Sequence, residues 1–332
     1  LAGSGSGVLV VGGGNETIIK VGDDNKTVFN PKASCEFYAV SRKEFRRLKH
    51  PLNEPRALHT VTLLSAEPDR EGKVLVVGGL SWLPEGLDVL GKKVPFYALA
   101  KTYELFDPLN PQQGWSAAKG LSPARFAHTA TLLGDAHNDH KVLIAGGLDF
   151  ECTLQFSPTI ELKMTAQALK SCQVYDPKTD HWDNATSLNL NHDRALHTAT
   201  LLTAEGPNKG KVLVTGGVRG MVGVDVTVDW AKLLDFSKWL PFNVWYWLKI
   251  NDLKFDDLET LKSCELFDPQ TGLWENATDL TFPRVLHTAT PLVLESNKGR
   301  VLVAGGQDGF DNGTIIHRSY EIYDADENTW TC

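Results

Sequence analysis

The sequence predicts an all-β fold, and three observations carry that reading. A box of the form R-x-x-H-T recurs four times, as "RALHTVTLL", "RFAHTATLL", "RALHTATLL" and "RVLHTATPL". A glycine pair closes a short apolar run five times, with first glycines Gly12, Gly78, Gly146, Gly216 and Gly305. A third block follows each pair: "CEFYAV", "YELFDP", "CQVYDP", "CELFDP" and "YEIYDA". Self-similarity at a fixed period is the signature of a repeat architecture, in which each unit is one supersecondary element.

Taken in order, each block reads as a strand. "HTATLL" and "KVLVVGG" are β-branched and apolar and are bounded by glycine, asparagine or charge. The glycine pairs lack the helix start and lysine of a phosphate loop. Their expected task is close backbone approach, where a Cβ would clash. The third block ends in Asp107, Asp176, Asp268 or Asp324, which start a tight turn by bonding the backbone ahead of them. An aromatic opens the fourth strand ten residues after the third block begins, at Phe45, Trp182, Trp274 and Trp330, and twelve residues after it at Trp115. Four strands per unit, five times over and with no helical period between them, predict a β-propeller.

These units resemble Kelch repeats: R-x-x-H on the inner strand, the glycine pair closing the second, [YC]-E-[LIF]-[YF]-D-P on the third and Trp on the fourth. The resemblance covers essentially the whole chain. It implies one domain of five four-stranded blades, at 1–50, 51–118, 119–187, 188–278 and 279–332. The first residues, "LAGSGSGVLVVGG", align from the last leucine of an inner strand onward, so the first blade lacks its own R-x-x-H-T strand. Either the chain is part of a longer polypeptide, the reading favoured here, or something else fills the blade, because an unpaired strand edge is a liability.

The repeated Arg56 and His59, Arg125 and His128, Arg194 and His197, and Arg284 and His287 invite a metal or acid–base reading. A residue demanded at the same place in every blade serves the blade, however, and each buried histidine is expected to donate to a neighbouring backbone carbonyl. Some Kelch propellers are radical-copper oxidases, with a Tyr–Cys crosslink, a second Tyr and two His. The seven tyrosines and the non-repeat His50, His137, His140, His181, His192 and His317 show no such arrangement. Others are sugar-acid isomerases, for which no transferable motif is present. His137 and His140 have H-x-x-H spacing but read as loop polars. No catalytic residue, metal or cofactor is assigned.

Function on a repeat scaffold is carried by connections of unequal length. Counted from the first glycine to the residue at the Glu position of the third block, these run 24, 26, 27, 49 and 16 residues. The fourth, with an insertion at 218–262, holds Trp230, Trp239, Trp245 and Trp247. Within it "DWAKLLDFSKWL" has near-helical spacing, with Asp229 as cap. The second connection holds Trp82, and the second and third are more apolar than solvated loops should be. One face of the propeller therefore reads as a binding or assembly surface, for a protein partner, a carbohydrate or another copy of the chain, since tryptophan is favoured at such contacts. The alternative is an enzyme acting on a sugar or a small alcohol or aldehyde at the ring centre.

The formal charge of −8 and pI near 5.7 argue against nucleic acid as a partner. The basic run from Arg42 to His50 reads as a solvated strand face. No stretch reaches the roughly 18 apolar residues of a membrane span. Sequons at Asn15, Asn25, Asn184, Asn276 and Asn312 point to a secreted glycoprotein. Among five cysteines, Cys35, Cys172 and Cys264 occupy one equivalent buried position, and Cys152 is a candidate disulfide partner for Cys172.

Overall fold

The computed structural model describes residues 7–21, 24–64, 72–82, 87–89, 92–94, 97–134, 140–156, 160–183, 188–228, 248–254, 258–293, 299–310 and 313–332, with the backbone alone at 16–29, 87–97, 152–164 and 224–254. Among these residues the protein is all-β, and the 3-10 turn Pro111–Gln113 is its one helical element. Its sheets are antiparallel and have two to four strands each.

Five sheets follow the sequence repeat. In the third unit Thr129–Leu132, Val142–Ala145, Cys172–Asp176 and His181–Asp183 pair in chain order. The fourth unit repeats this with Thr198–Leu201, Val212–Thr215, Cys264–Asp268 and Leu273–Ala277. The fifth uses Thr288–Leu292, Arg300–Ala304, Tyr320–Asp324 and Thr329–Thr331. In the second, Thr60–Leu63, Val74–Val77 and Thr102–Phe106 are completed by Lys119–Gly120. That last strand carries the second unit past the expected boundary at 118, because the turn before it is two residues longer. Among the described residues the first unit's sheet has three strands, Gly7–Val11, Cys35–Ala39 and Glu44–Arg47.

Consecutive sheets pack face to face. Leu143, Ala145 and Cys172 of the third unit meet Val212, Val214 and Phe267 of the fourth. Leu75, Val77 and Tyr103 of the second meet Val142, Ile144 and Tyr175 of the third. A strand covered on both faces needs an unbroken apolar run, and the second strands of units two to four are buried at every residue. The third-block aromatic lies across from the fourth-strand aromatic in each unit, as in Phe267 on Trp274, with ring centroids 5.0 Å apart.

Local chemistry closes the turns. Asp107, Asp176, Asp268 and Asp324 each accept, through Oδ1, the N–H two residues on, at 2.8–3.1 Å. The basic strand Glu44–Arg47 is exposed at every residue, and Arg46 pairs with Glu44. Cys35, Cys172 and Cys264 are buried free thiols, each donating to the carbonyl two residues before it. The Cys152–Cys172 disulfide is therefore corrected: Cys172 pairs with Ala145 in the repeat sheet, whereas Cys152 lies opposite Met164 on the fifth rung of a separate hairpin.

That hairpin belongs to a second layer. Beyond each glycine pair the second-to-third connection continues as a β-hairpin. These hairpins are Gly14–Val21 with Asp24–Pro31, Leu80–Trp82 with Tyr97–Leu99, Leu148–Phe156 with Ile160–Ala168, Val218–Arg219 with Glu259–Thr260, and Gln307–Asp308 with Ile315–Ile316. The third and fourth connections join as one four-stranded sheet, Leu148–Phe156, Ile160–Ala168, Met221–Val228 and Leu248–Lys254. Under it, Phe126, Leu148, Ala168, Ala195, Val218 and Val285 form a common apolar core.

Candidate functional site

The R-x-x-H-T boxes lie where neighbouring units meet: their arginine side chains bond within their own unit, and three of their histidines reach the unit before. Each arginine is fully buried. Arg194 donates from Nη1 to the carbonyls of Gly216 (2.8 Å) and Ser263 (3.0 Å), and from Nη2 to Ser263 Oγ (3.1 Å) and Glu265 Oε1 (2.6 Å). Glu265 also accepts the N–H groups of Asn191 and His192. Arg56 with Glu104 and Arg284 with Glu321 repeat the pair at 2.8 and 3.0 Å. A buried ion pair with its remaining lone pairs satisfied is a rigid element rather than a reactive one.

The third unit departs from this pattern. Gln173 stands where the others have Glu, and Pro123, which has no N–H, stands where Glu54 and His192 donate. Gln173 Nε2 donates instead to the Ser122 carbonyl at 2.8 Å. Arg125 keeps the carbonyls of Gly146 and Ser171 and the Ser171 hydroxyl. Burial without a facing carboxylate lowers its pKa to about 10.

The histidines bridge units. His128 Nε2 bonds Thr60 Oγ1 of the preceding unit at 2.8 Å, His197 bonds Thr129 at 3.0 Å, and His287 bonds Thr198 at 3.0 Å and Thr215 at 3.1 Å. For His128 and His197 the expected partner, a backbone carbonyl, is thus replaced by a hydroxyl one repeat back. Burial, reinforced by the adjacent guanidinium, lowers His59 and His287 to about 4 and His128 and His197 well below the usual imidazole value. All four are neutral near pH 7. Among the described residues no three His, Cys, Asp or Glu side chains are grouped to hold a metal ion.

The glycine pairs receive these boxes. A Cβ on Gly146 would lie 2.3 Å from the Arg194 carbonyl of the next unit, and one on Gly147 would lie 2.7 Å from Phe126 O of its own unit. Both have positive φ, +57° and +99°. The second glycine's N–H donates to the next unit's arginine carbonyl, as Gly147 does to Arg194 at 2.9 Å.

A cleft of about 510 Å³ between the second and third sheets is lined by Lys73, Asp107, Trp115, Lys119, Tyr175 and Asp180 among others. Asp180 accepts the hydroxyls of Tyr103 and Tyr175 at 2.9 Å and pairs with Lys119. Burial opposes its ionisation, but these donors hold the carboxyl below its ordinary range. Asn328 takes the equivalent place in the fifth unit, accepting from Tyr323 and from Thr278 of the fourth. The cleft is thus floored by a second inter-unit joint.

The remaining sequence-singled residues fall on the hairpin layer or outside the description. Trp82 is half-buried on Leu80–Trp82, opposite Tyr97. Trp230, Trp239, Trp245 and Trp247, the helical stretch 229–240, His137, Asn184 and Asn312 lie outside the described residues. Asn15 and Asn276 are exposed, and Asn276 Oδ1 accepts from Asn191. Asn25 is described by its backbone alone.

No family model matches the chain, and no curated protein matches it. A solved structure titled "Structure of YjhT" is similar over 98% of this chain and 80% of that one, with TM-score 0.53 and 16% identity. At that identity the likeness concerns the fold alone. No described helix is long and apolar enough to cross a membrane.

Proposed function

We propose that the chain is a Kelch-type propeller of five blades that works as a non-catalytic, extracellular binding and assembly module, with the hairpin layer as its contact face. The repeat arginines are consumed in bonds within units and the histidines in bonds between them, and the likeness to YjhT supports a propeller fold. One observation carries the functional reading. The third and fourth connections leave their own units and build a shared four-stranded sheet, which the repeat scaffold does not need for its own pairing. The tryptophans at 230, 239, 245 and 247 are inserted between two strands of that sheet, Met221–Val228 and Leu248–Lys254. An occupant of protein or carbohydrate, or another copy of the chain, fits such a face, where tryptophan contributes large contact area at small entropic cost.

Sedimentation equilibrium across a wide concentration range, paired with a printed glycan array, tests this. The wild-type chain is expected to self-associate or to bind a glycan class, and Trp239→Ser with Trp245→Ser to abolish that signal while the thermal midpoint stays unchanged. A monomer silent on the array, or association indifferent to the two substitutions, contradicts it.

A further inference from the structure

The four-stranded sheet shared by the third and fourth connections has two unlike faces. Its register sets Leu154, Leu162, Val226 and Ile250 in one rung and Cys152, Met164, Val224 and Leu253 in another. The rung between them, Thr153, Lys163, Asp225 and Asp252, falls on the opposite face, because successive residues of a strand alternate. A register shift at Asn251 keeps Ile250 and Leu253 on one face despite their odd spacing. In all four strands every paired position on the first face is hydrophobic. The inner end of the sheet shows how the faces are set: Phe150 and Ala166 pack on the core beneath it, whereas Glu151 and Gln167 are exposed. Two full rungs of the apolar face lie outward of Phe150 and Ala166.

We infer that this apolar face is a docking surface for a second copy of the chain, the two sheets stacking face to face about a two-fold axis. The inference rests on the reading of the hairpin layer as the contact face and names its occupant. A sheet with one apolar face buries it against another layer, and a sheet of the same kind is the layer whose shape matches it. A two-fold axis lets the same patch serve both partners, so one self-complementary face suffices. At a strand spacing of about 4.8 Å and a rise of about 3.4 Å per residue, the face measures about 19 by 25 Å, roughly 500 Å². Two copies together therefore cover about 1,000 Å², the size at which specific interfaces begin. A carbohydrate does not fit the face, because a sugar's hydroxyls need polar partners and no paired position there carries a hydroxyl, amide or charge. Charge disfavours a lipid surface: the chain carries a formal −8, and the polar face holds more carboxylates than lysines.

Cys152 lies on the apolar face and serves as the reporter. The wild-type chain is taken across a wide concentration range by sedimentation equilibrium, and each sample is pulsed with maleimide and mapped by mass spectrometry. A dimer is expected, with Cys152 labelling falling about tenfold as the dimer fills, while the exposed Cys332 labels throughout. Leu162→Glu with Val226→Glu should weaken dimerisation more than about a hundredfold, since each buries an unpaired charge. Lys163→Glu with Thr227→Glu, one position along on the polar face, should shift it by less than about twofold. The labelling of the unsubstituted chain decides the matter even where the first pair also lowers the urea midpoint. A dimer in which Cys152 labels as in the monomer, or one indifferent to the first pair, overturns the inference. So does a monomer that floats with phosphatidylcholine vesicles until the first pair is introduced, because it gives the face to lipid. A monomer at every concentration that binds a glycan array overturns the second copy alone and leaves the contact-face reading standing. A monomer silent on the array as well removes both.

Discussion

In the repeat sheets, equivalent positions keep both their residue type and their partner. Arg56, Arg194 and Arg284 each reach a buried glutamate and the carbonyl of their own unit's first glycine. In the hairpin layer strand length and partner vary. One hairpin has nine-residue strands, Leu148–Phe156 with Ile160–Ala168, another has two-residue strands, Gln307–Asp308 with Ile315–Ile316, and two connections leave their units to share a sheet. Constancy marks the positions that hold a unit together or join it to the next, and variety marks those whose neighbours the scaffold does not dictate. A site repeated in the second to fifth units therefore has little room for chemistry of its own; its histidines are neutral, and His128, His197 and His287 are tied to threonines.

The contrast can be broken hardest at an arginine. Arg194→Met leaves Glu265 as an uncompensated buried charge and should cost about 3–5 kcal/mol in urea denaturation. Arg125→Met abandons carbonyls and a hydroxyl but no carboxylate, and should cost about 1–3 kcal/mol. Equal losses would mean that the glutamates are not what distinguishes the units.

Acid should act next. A histidine whose folded pKa is depressed binds its proton more readily in the unfolded chain, so it contributes stability above about pH 6.5 that is lost as pH falls through about 4. His59 and His287 should each contribute about 3 kcal/mol over that window. The urea midpoint is expected to drop between pH 6.5 and 4, and less steeply in His287→Gln. A flat profile would place these rings in contact with water.

A smaller effect sharpens the comparison within the repeats. Gly146→Ala drives a Cβ onto the Arg194 carbonyl and should cost about 3 kcal/mol, from overpacking and positive φ together. Gly305→Ala meets open space and should show the conformational cost alone, about 1 kcal/mol. Last, thiol labelling at pH 8 should leave stability untouched while reporting burial. Cys172 and Cys264 are pushed up to about 12 by burial, so Cys332 should react and they should not until urea is added. A Cys172 that stays unreactive in urea without reductant would restore the disulfide that the structure removes.

The residues legible in the sequence were those whose role is set by near neighbours. The turn aspartates bond two residues ahead, and the glycine pairs carry positive φ wherever they occur, so each copy advertises the same need. What stayed hidden depends on distant partners. Nothing local to His128 says that its acceptor or donor is Thr60, 68 residues earlier. The exchange of Glu for Gln at 173 makes sense only beside Pro123. The shared sheet did leave a trace: Val222, Val224, Val226 and Val228 alternate with smaller or polar residues in "MVGVDVTV", the period of a strand.

The separation of scaffold from contact face is tested most directly by replacing residues 229–247 with a four-residue Gly-Ser linker and measuring urea stability and association on the same samples. The expected result is a stability within about 1 kcal/mol of wild type, as for a surface connection between paired strands, together with complete loss of association. A chain that unfolds, or one that associates as before, would contradict the account, placing the tryptophans in the scaffold in the first case and the contact face elsewhere in the second.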